Sequence, residues 1–458
     1  MLDDVLARID ADLEASLDRL FALLRIPSIS TDPAFAGACD EAASWCAAAL
    51  AEIGFAAAVR PTAGRAMVVG HRTDPSAGPS VLFYGHYDVQ PVDPIELWDT
   101  DPFAPRIVTR DDGSKIIVAR GAADDKGQLL TFIEACRAFV AVTGRLPVPV
   151  TVLLEGEEES GGESLPPFLA ANREELSADV ALVCDTGMWN RTTPAITASL
   201  RGVVGEEIVI SAASKDLHSG LYGGAARNPN HVLARILADL HDETGRVTLP
   251  GFYEGVPDTP EEQRAQWAEL SRNDDLLPGV GLSIPAGEAG RSVLEQTWGR
   301  PTAEVNGMIG GYTGAGFKTV IPAKASAKVS FRLVGTQDPD KVRETFRAFV
   351  RARIPADCSV AFEEHGASGG FRVDLANPHL ARGRAALTAE WNTEAVVIGS
   401  GGSIPVVGQF KSILGLDTLM IGFGLPDDQI HSPNEKYELT SFHKGIRSWA
   451  RVLAELAE

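Results

Sequence analysis

Five residues of this sequence could together hold metal ions: His86, Asp124, Glu159, Asp185 and His431, each placed shortly after an apolar run. Three carboxylates and two imidazoles without a thiolate form an N/O donor set suited to Zn²⁺ first, and also to Mn²⁺ or Co²⁺. One catalytic zinc takes three protein ligands and keeps a position open. Five donors are too many for one ion and the right number for two ions sharing a carboxylate. Two ions about 3.5–4 Å apart can hold a hydroxide between them and polarise a carbonyl oxygen. In His86-x-Asp88 an extended chain points both side chains the same way. A metal-binding histidine often passes its second ring N–H to a carboxylate, which fixes the tautomer. Glu157-Glu158-Glu159 follows the apolar run Val150–Leu154 and precedes Ser160-Gly161-Gly162. Acidic runs are usually solvated, but at this place one member can bind metal while its neighbour takes a proton from water as general base.

These donors need strand ends to hold them. Apolar runs at Met67–Val69, Val81–Tyr84, Ile116–Val118, Val150–Leu154 and Val180–Cys184 alternate with helical patterns, the clearest at Gly127–Val142. Such alternation predicts an α/β domain, a mainly parallel sheet with helices on both faces. Ligands of such sheets bind beyond the carboxyl ends of the strands, where His86, Asp124, Glu159 and Asp185 fall. Leu2 to Leu24 carries helical spacing, predicting a helix over 3–25, with a second over Asp40–Ile53 capped by Asp40. From 199 to 377 the texture changes to strands Val203–Ala212, Lys324–Leu333 and Ser359–Glu363 with helices His231–Leu240 and Lys341–Arg353. This predicts a smaller α+β domain with one antiparallel sheet. Residues 244–312, rich in Gly, Pro and acid, form an insertion in it. After Pro378 the first texture returns: helix His379–Trp391, strand Glu394–Ile398, a turn at Gly399–Ser403, strand Thr418–Phe423 and helix Ser441–Leu456. The expected organisation is a first domain in two parts, 1–198 and 378–458, interrupted by a second at 199–377.

Composition narrows the classes. The 458 residues are 45% hydrophobic and 22% charged, a globular composition long enough for more than one core. The net charge of −21 argues against nucleic-acid and anionic-membrane partners but not against a peptide. Five scattered cysteines without a CxxC fit reduced thiols, and the N-terminus has neither a basic n-region nor an apolar h-region. No stretch is apolar enough to span a bilayer, so a cytoplasmic protein is expected.

His86-x-Asp88, Ala119 to Gly127 (ARGAADDKG), Glu155 to Gly161 (EGEEESG), Cys184-Asp185, Asp216 to Gly220 (DLHSG) and His431 to Glu435 (HSPNE) occur in that order. The ordered set resembles the M20 family of metallopeptidases, nearest its dipeptidase branch of carnosinase-like and bacterial Xaa dipeptidases, over nearly the whole chain. The resemblance implies that His86 and Asp185 hold one metal, His431 and Glu159 the other, and Asp124 bridges them. It implies Glu158 as general base and Asp88 as the partner of His86. His218, on a smaller lid and dimerisation domain, would stabilise the oxyanion in the active site of the other subunit of a homodimer. Arg332 would bind the substrate's terminal carboxylate, with His379, Gly402 and Ser403 completing the pocket. The Asp124–Asp125 peptide would be cis. Ala119 departs from the more usual glycine, and the triple glutamate leaves a one-residue ambiguity, resolved by the following Ser160-Gly161.

The expected activity is hydrolysis of dipeptides by a metal-bridging hydroxide. An N-acyl-amino-acid deacylase or desuccinylase would use the same site. A non-catalytic metal-binding module would lack the base or a ligand, and all are present. Ser219 beside His218 and the Gly401-Gly402-Ser403 turn raise a serine hydrolase, but no GxSxG elbow occurs. No GxxxxGK[ST] occurs either, so a nucleotide site has no support.

Overall fold

The computed structural model describes residues 1–74, 78–273, 276–402 and 404–458. The chain forms two compact units: Met1–Ala198 with Val373–Ile398 and Gln409–Glu458, and Ser199–Arg372 with Gly399–Gly408. The turn after Val396–Ile398 thus groups with the second unit, not the first.

The first unit is built on a mixed sheet with a parallel centre. Its order is Ala56–Arg60, Met67–Arg72, Val150–Glu155, Val81–His86, Val180–Val183, Thr418–Met420, Ala195–Leu200. The four strands from Val150–Glu155 to Thr418–Met420 are mutually parallel and the flanking ones antiparallel. Val81–His86 lies in the middle and is buried throughout. Its side chains alternate between faces. Phe83 stacks on Phe132 of helix Lys126–Thr143 at 3.8 Å, and Trp449 of helix Leu439–Leu456 meets both rings edge-on. Tyr84, on the opposite face, meets Phe410 at 5.7 Å. Each ring pair adds about 0.5–1.5 kcal/mol beyond its burial, so the strand that ends in His86 is wedged from both sides.

Three sequence expectations change here. The helix over 3–25 is two, Leu2–Ala11 and Leu13–Leu24, because Asp12 (φ −97°, ψ 7°) leaves helical geometry. The second helix is Ala36–Glu52, so Asp40 lies inside it and does not cap it; Asp32 caps the 3₁₀ turn Pro33–Phe35 that leads into the helix, accepting the Ala34 N–H. Lys115–Val118 is not in the central sheet. It forms a hairpin with Arg106–Thr109, closed by a short turn that only antiparallel strands can use, and pairs on its other side with Lys436–Glu438.

The second unit is an antiparallel sheet in the order Thr302–Gly310, Lys324–Leu333, Gly202–Ser211, Ser359–Ser368. Gly202–Ser211 alternates buried and half-buried residues along its length. Its buried face packs Val204, Ile208 and Ile210 with Leu233 and Ile236 of helix Pro229–Ala238 and Phe346 of helix Pro339–Arg351. Glu206 on that face is matched by Arg343 at 3.0 Å and Arg347 at 2.8 Å. The strand Thr302–Gly310 lies inside the stretch expected to be insertion, so the insertion ends before it. Among the described residues no helix is long and apolar enough to cross a membrane.

Candidate metal centre and active site

Local structure delivers each candidate ligand to one end of the parallel strands. His86 is the last residue of its strand. Gly85 before it has no room for a side chain: a Cβ there would lie 2.9 Å from Asp125 Oδ2 and 2.9 Å from Leu129 Cβ. Glu158 and Glu159 form a single 3₁₀ turn after Val150–Glu155, and Asp185 follows Val180–Val183 by two residues. Asp124 ends the turn after Lys115–Val118, and its peptide bond to Asp125 is cis. His431 adopts φ 62°, a left-handed backbone uncommon for residues other than glycine.

The distances divide these residues into two groups that meet at Asp124. His86 Nε2 lies 3.1 Å from Asp124 Oδ1 and 3.9 Å from Asp185 Oδ2. His431 Nε2 lies 3.0 Å from Asp124 Oδ2 and 3.3 Å from Glu159 Oε2. In each group, one donor atom per residue falls within 4.8 Å of the others. The two oxygens of Asp124 therefore face different groups, the disposition a bridging carboxylate needs. His86 Nε2 and Glu159 Oε1 are buried without a hydrogen-bond partner among the described residues. Buried polar atoms left unpaired are costly, and this donor set is one that a divalent cation satisfies.

The electrostatics lead to the same fit. Burial alone would lower the pKa of His86, but the close carboxylates of Asp124 and Asp88 outweigh it and raise the imidazole well above its ordinary value. Asp124 and Glu159 push His431 up to about 10. Burial, then the neighbouring Asp124, drives Asp185 well above the carboxylate range. Glu158 is pushed up to about 7, by burial first and then by Glu159, Asp88 and Asp124 against the opposing His86. So many carboxyl groups in one buried place compete for protons, and cations are what such crowding accommodates.

Asp88 supports both sides. Its Oδ1 is 3.4 Å from His86 Nδ1, its own carbonyl is nearer at 3.2 Å, and its Oδ2 accepts the Glu159 N–H at 3.1 Å. Two further residues contribute. Gln90 Nε2 donates to Glu159 Oε2 at 2.6 Å, and Asp125 Oδ2 accepts the backbone N–H of His86 at 3.1 Å. Asp125 was visible as the second acid of Asp124-Asp125; nothing marked Gln90.

His379 is not brought to this cluster. Burial and Arg382 lower its pKa, opposed by Asp179 and Asp417. Those two aspartates precede strands Val180–Val183 and Thr418–Met420, whereas Asp185 follows the first of these. His379 thus stands at the amino ends of the strands whose carboxyl ends carry the ligands, which removes it from the expected pocket.

In the second unit, His218 pairs with Val320 in a two-residue ribbon and is exposed. Its Nδ1 accepts the Gly220 N–H at 3.0 Å, which leaves the proton of a neutral ring on Nε2. Arg332 is opposite Val203 in the sheet register, so Arg201, two residues before Val203, projects on the same face as a diagonal neighbour. Burial and then the charge of Arg332 press Arg201 down to about 10. Arg201 donates to the carbonyls of Gly401 and Gln296, both at 3.3 Å. Gly402 is exposed and donates to Ser400 Oγ at 3.1 Å. Ser403 lies outside the described residues.

The profile of Peptidase family M20/M25/M40 matches residues 82–455. The chain is 30% identical over 472 residues to the Cys-Gly metallodipeptidase of Schizosaccharomyces pombe, covering 100% of this chain and 98% of that one. It is 29% identical to the human Beta-Ala-His dipeptidase over 84% of this chain and 76% of the relative. Among solved structures, an M20 family metallo-carboxypeptidase from Sulfolobus solfataricus superposes with a TM-score of 0.82 at 31% identity, covering 96% of this chain and 99% of that one.

Proposed function

Because the chain belongs to peptidase family M20/M25/M40, we propose that it is a two-metal dipeptidase whose ions share the carboxylate of Asp124. The observation that carries this reading is that Asp124 presents one oxygen to His86 and the other to His431. His86 and Asp185 would hold one divalent ion, Glu159 and His431 the other, with Zn²⁺ foremost for these donors and Mn²⁺ or Co²⁺ suited to them. Bound ions supply a Lewis acid for the scissile carbonyl and an acidified water.

The chain's own residues do the rest. Glu158 takes the proton of the attacking water and passes it to the leaving amine, a role supported by its place beside Glu159 in the turn that follows Val150–Glu155. Asp88 holds His86 and the Glu159 backbone in place. Arg332 binds the substrate's terminal carboxylate in a bidentate pair, and Gly402 closes the same end of the pocket. Two arginines crowded on one face of the second unit, one partly buried, favour an anion there.

His218 donates Nε2–H to the developing oxyanion of a second copy of the chain. The exposed histidine, and the exposed Val305, Met308 and Ile309 on the edge strand Thr302–Gly310 of the same unit, support a homodimer made through this unit. All five cysteines are unpaired, which supports a reducing, cytoplasmic setting.

A hydrolysis screen tests the substrate class. Free dipeptides should be cleaved faster than N-acetylated or N-succinylated amino acids, and the reverse order would make the enzyme a deacylase or desuccinylase. The likeness to a metallo-carboxypeptidase favours one further reading, in which C-terminal residues are released from longer peptides at comparable rates.

A further inference from the structure

Four residues beyond His431, Glu435 is fully buried and its side chain is spent entirely on the segment that carries Asp124. Its Oε1 accepts the N–H groups of Ala123 at 2.8 Å and Asp124 at 3.0 Å. Its Oε2 accepts the N–H of Gly121 at 2.9 Å and Arg120 Nη1 at 2.8 Å. Its backbone carbonyl accepts the Ala119 N–H at 3.2 Å, and the next residue, Lys436, pairs with Val118 in the sheet. On the other side, Asn434 donates to the Leu97 carbonyl at 3.0 Å and accepts the Asp99 N–H at 2.9 Å. The His431 segment and the Asp124 segment are thus clamped into one piece, although 307 residues separate the two ligands.

Only a carboxylate fits this clamp. Four donors converge on two oxygens, and an ionised carboxylate is acceptor-only, with lone pairs enough for four. A glutamine would turn an NH₂ toward backbone N–H groups and lose one side of the cradle. The clamped turn ends in the residue whose two oxygens face different metal groups, so its orientation decides whether both groups are complete.

We propose that Glu435 is a positioning residue for metal binding: it fixes Asp124 so that the two ions bind as a coupled pair. This rests on the two-metal reading above. The step it governs is binding, so it can be read without turnover.

The test titrates Zn²⁺ into metal-free wild type, Glu435→Gln, Glu435→Asp and Glu390→Gln by calorimetry, alongside thermal unfolding of each metal-free protein. Glu390 is a comparable buried carboxylate held by Arg447 at 2.7 Å and Arg451 at 2.8 Å, away from the ligands. Wild type should bind two ions per chain. Glu435→Gln should weaken binding about 10–100-fold, the usual loss when a group orienting a ligand is removed, and split it into two separate events. Glu435→Asp should recover part of the affinity. Glu390→Gln should lose stability yet keep wild-type affinities. Wild-type affinities in Glu435→Gln, or an equal loss in Glu390→Gln, would overturn the proposal while leaving the two-metal reading intact. One ion per wild-type chain would overturn both. If Glu435→Gln does not fold, the same criteria apply to Glu435→Asp, with a smaller expected loss.

Discussion

The two units place their chemical groups in opposite settings. In the first, His86, Asp88 and Asp125 are wholly buried, Asp124 nearly so, and each carboxylate has a partner from a distant part of the chain: Asp88 the Glu159 N–H, Asp125 the His86 N–H and Asp124 the His431 ring. In the second, His218 is exposed in a two-residue ribbon, and Arg332 lies half-buried on the less buried face of an antiparallel sheet. Buried and crowded acid is a place built for ions that stay, because such groups cannot all remain charged without cations. Donors that are exposed or half-buried are suited to something that arrives: a substrate carboxylate or a second copy of the chain. The contrast predicts that substitutions in the first unit act on metal content or on the chemical step. Those in the second should act on substrate and transition state while metal stays bound.

The largest effect should come from Glu158. Glu158→Gln is expected to keep both metals and lose about 10²–10⁴-fold in kcat, measured by steady-state kinetics with metal analysis. Glu159→Gln should instead lower metal content. Were the two effects interchanged, the assignment along Glu157-Glu158-Glu159 would be off by one residue.

His218→Ala sharpens the comparison. It should bind metal normally and lose about 10²–10³-fold in kcat, the cost of removing one oxyanion donor. Mixing these chains with Glu158→Gln chains should restore one working site per mixed dimer, built from one chain's Glu158 and the other's His218. No recovery, with mixed dimers shown to form, would end the assignment to a second copy. Arg332→Lys should be mildest: KM for dipeptides should rise about tenfold as a bidentate charged pair becomes a single contact, with kcat and metal content kept. A fall in metal content in that variant would erase the distinction between the units.

Much of this was legible in the sequence for a physical reason. Buried parallel strands are short apolar runs, and ligands placed at their carboxyl ends follow those runs at once, as His86 and Asp185 do. The same signature misplaced Ile116–Val118, because an apolar run does not say which sheet it joins; its partner Tyr437 lies far along the chain. Thr302–Gly310 was hidden since it is an edge strand with an irregular register between Val305 and Gly307, and its exposed residues do not alternate. His379 was misassigned because a histidine at a helix start looks the same at either end of a sheet, and only the strand direction separates them. Glu435 stood within a recognised motif, but its work is done on residues more than 300 positions away, which folding alone brings near.

The central claim is that Asp124 serves two ions at once. A crystal structure of the protein saturated with Zn²⁺, with anomalous scattering measured at the zinc edge, tests it directly. Two peaks are expected, one among His86, Asp124 and Asp185 and one among Asp124, Glu159 and His431. A single peak at full occupancy, or two peaks of which only one touches Asp124, would contradict it.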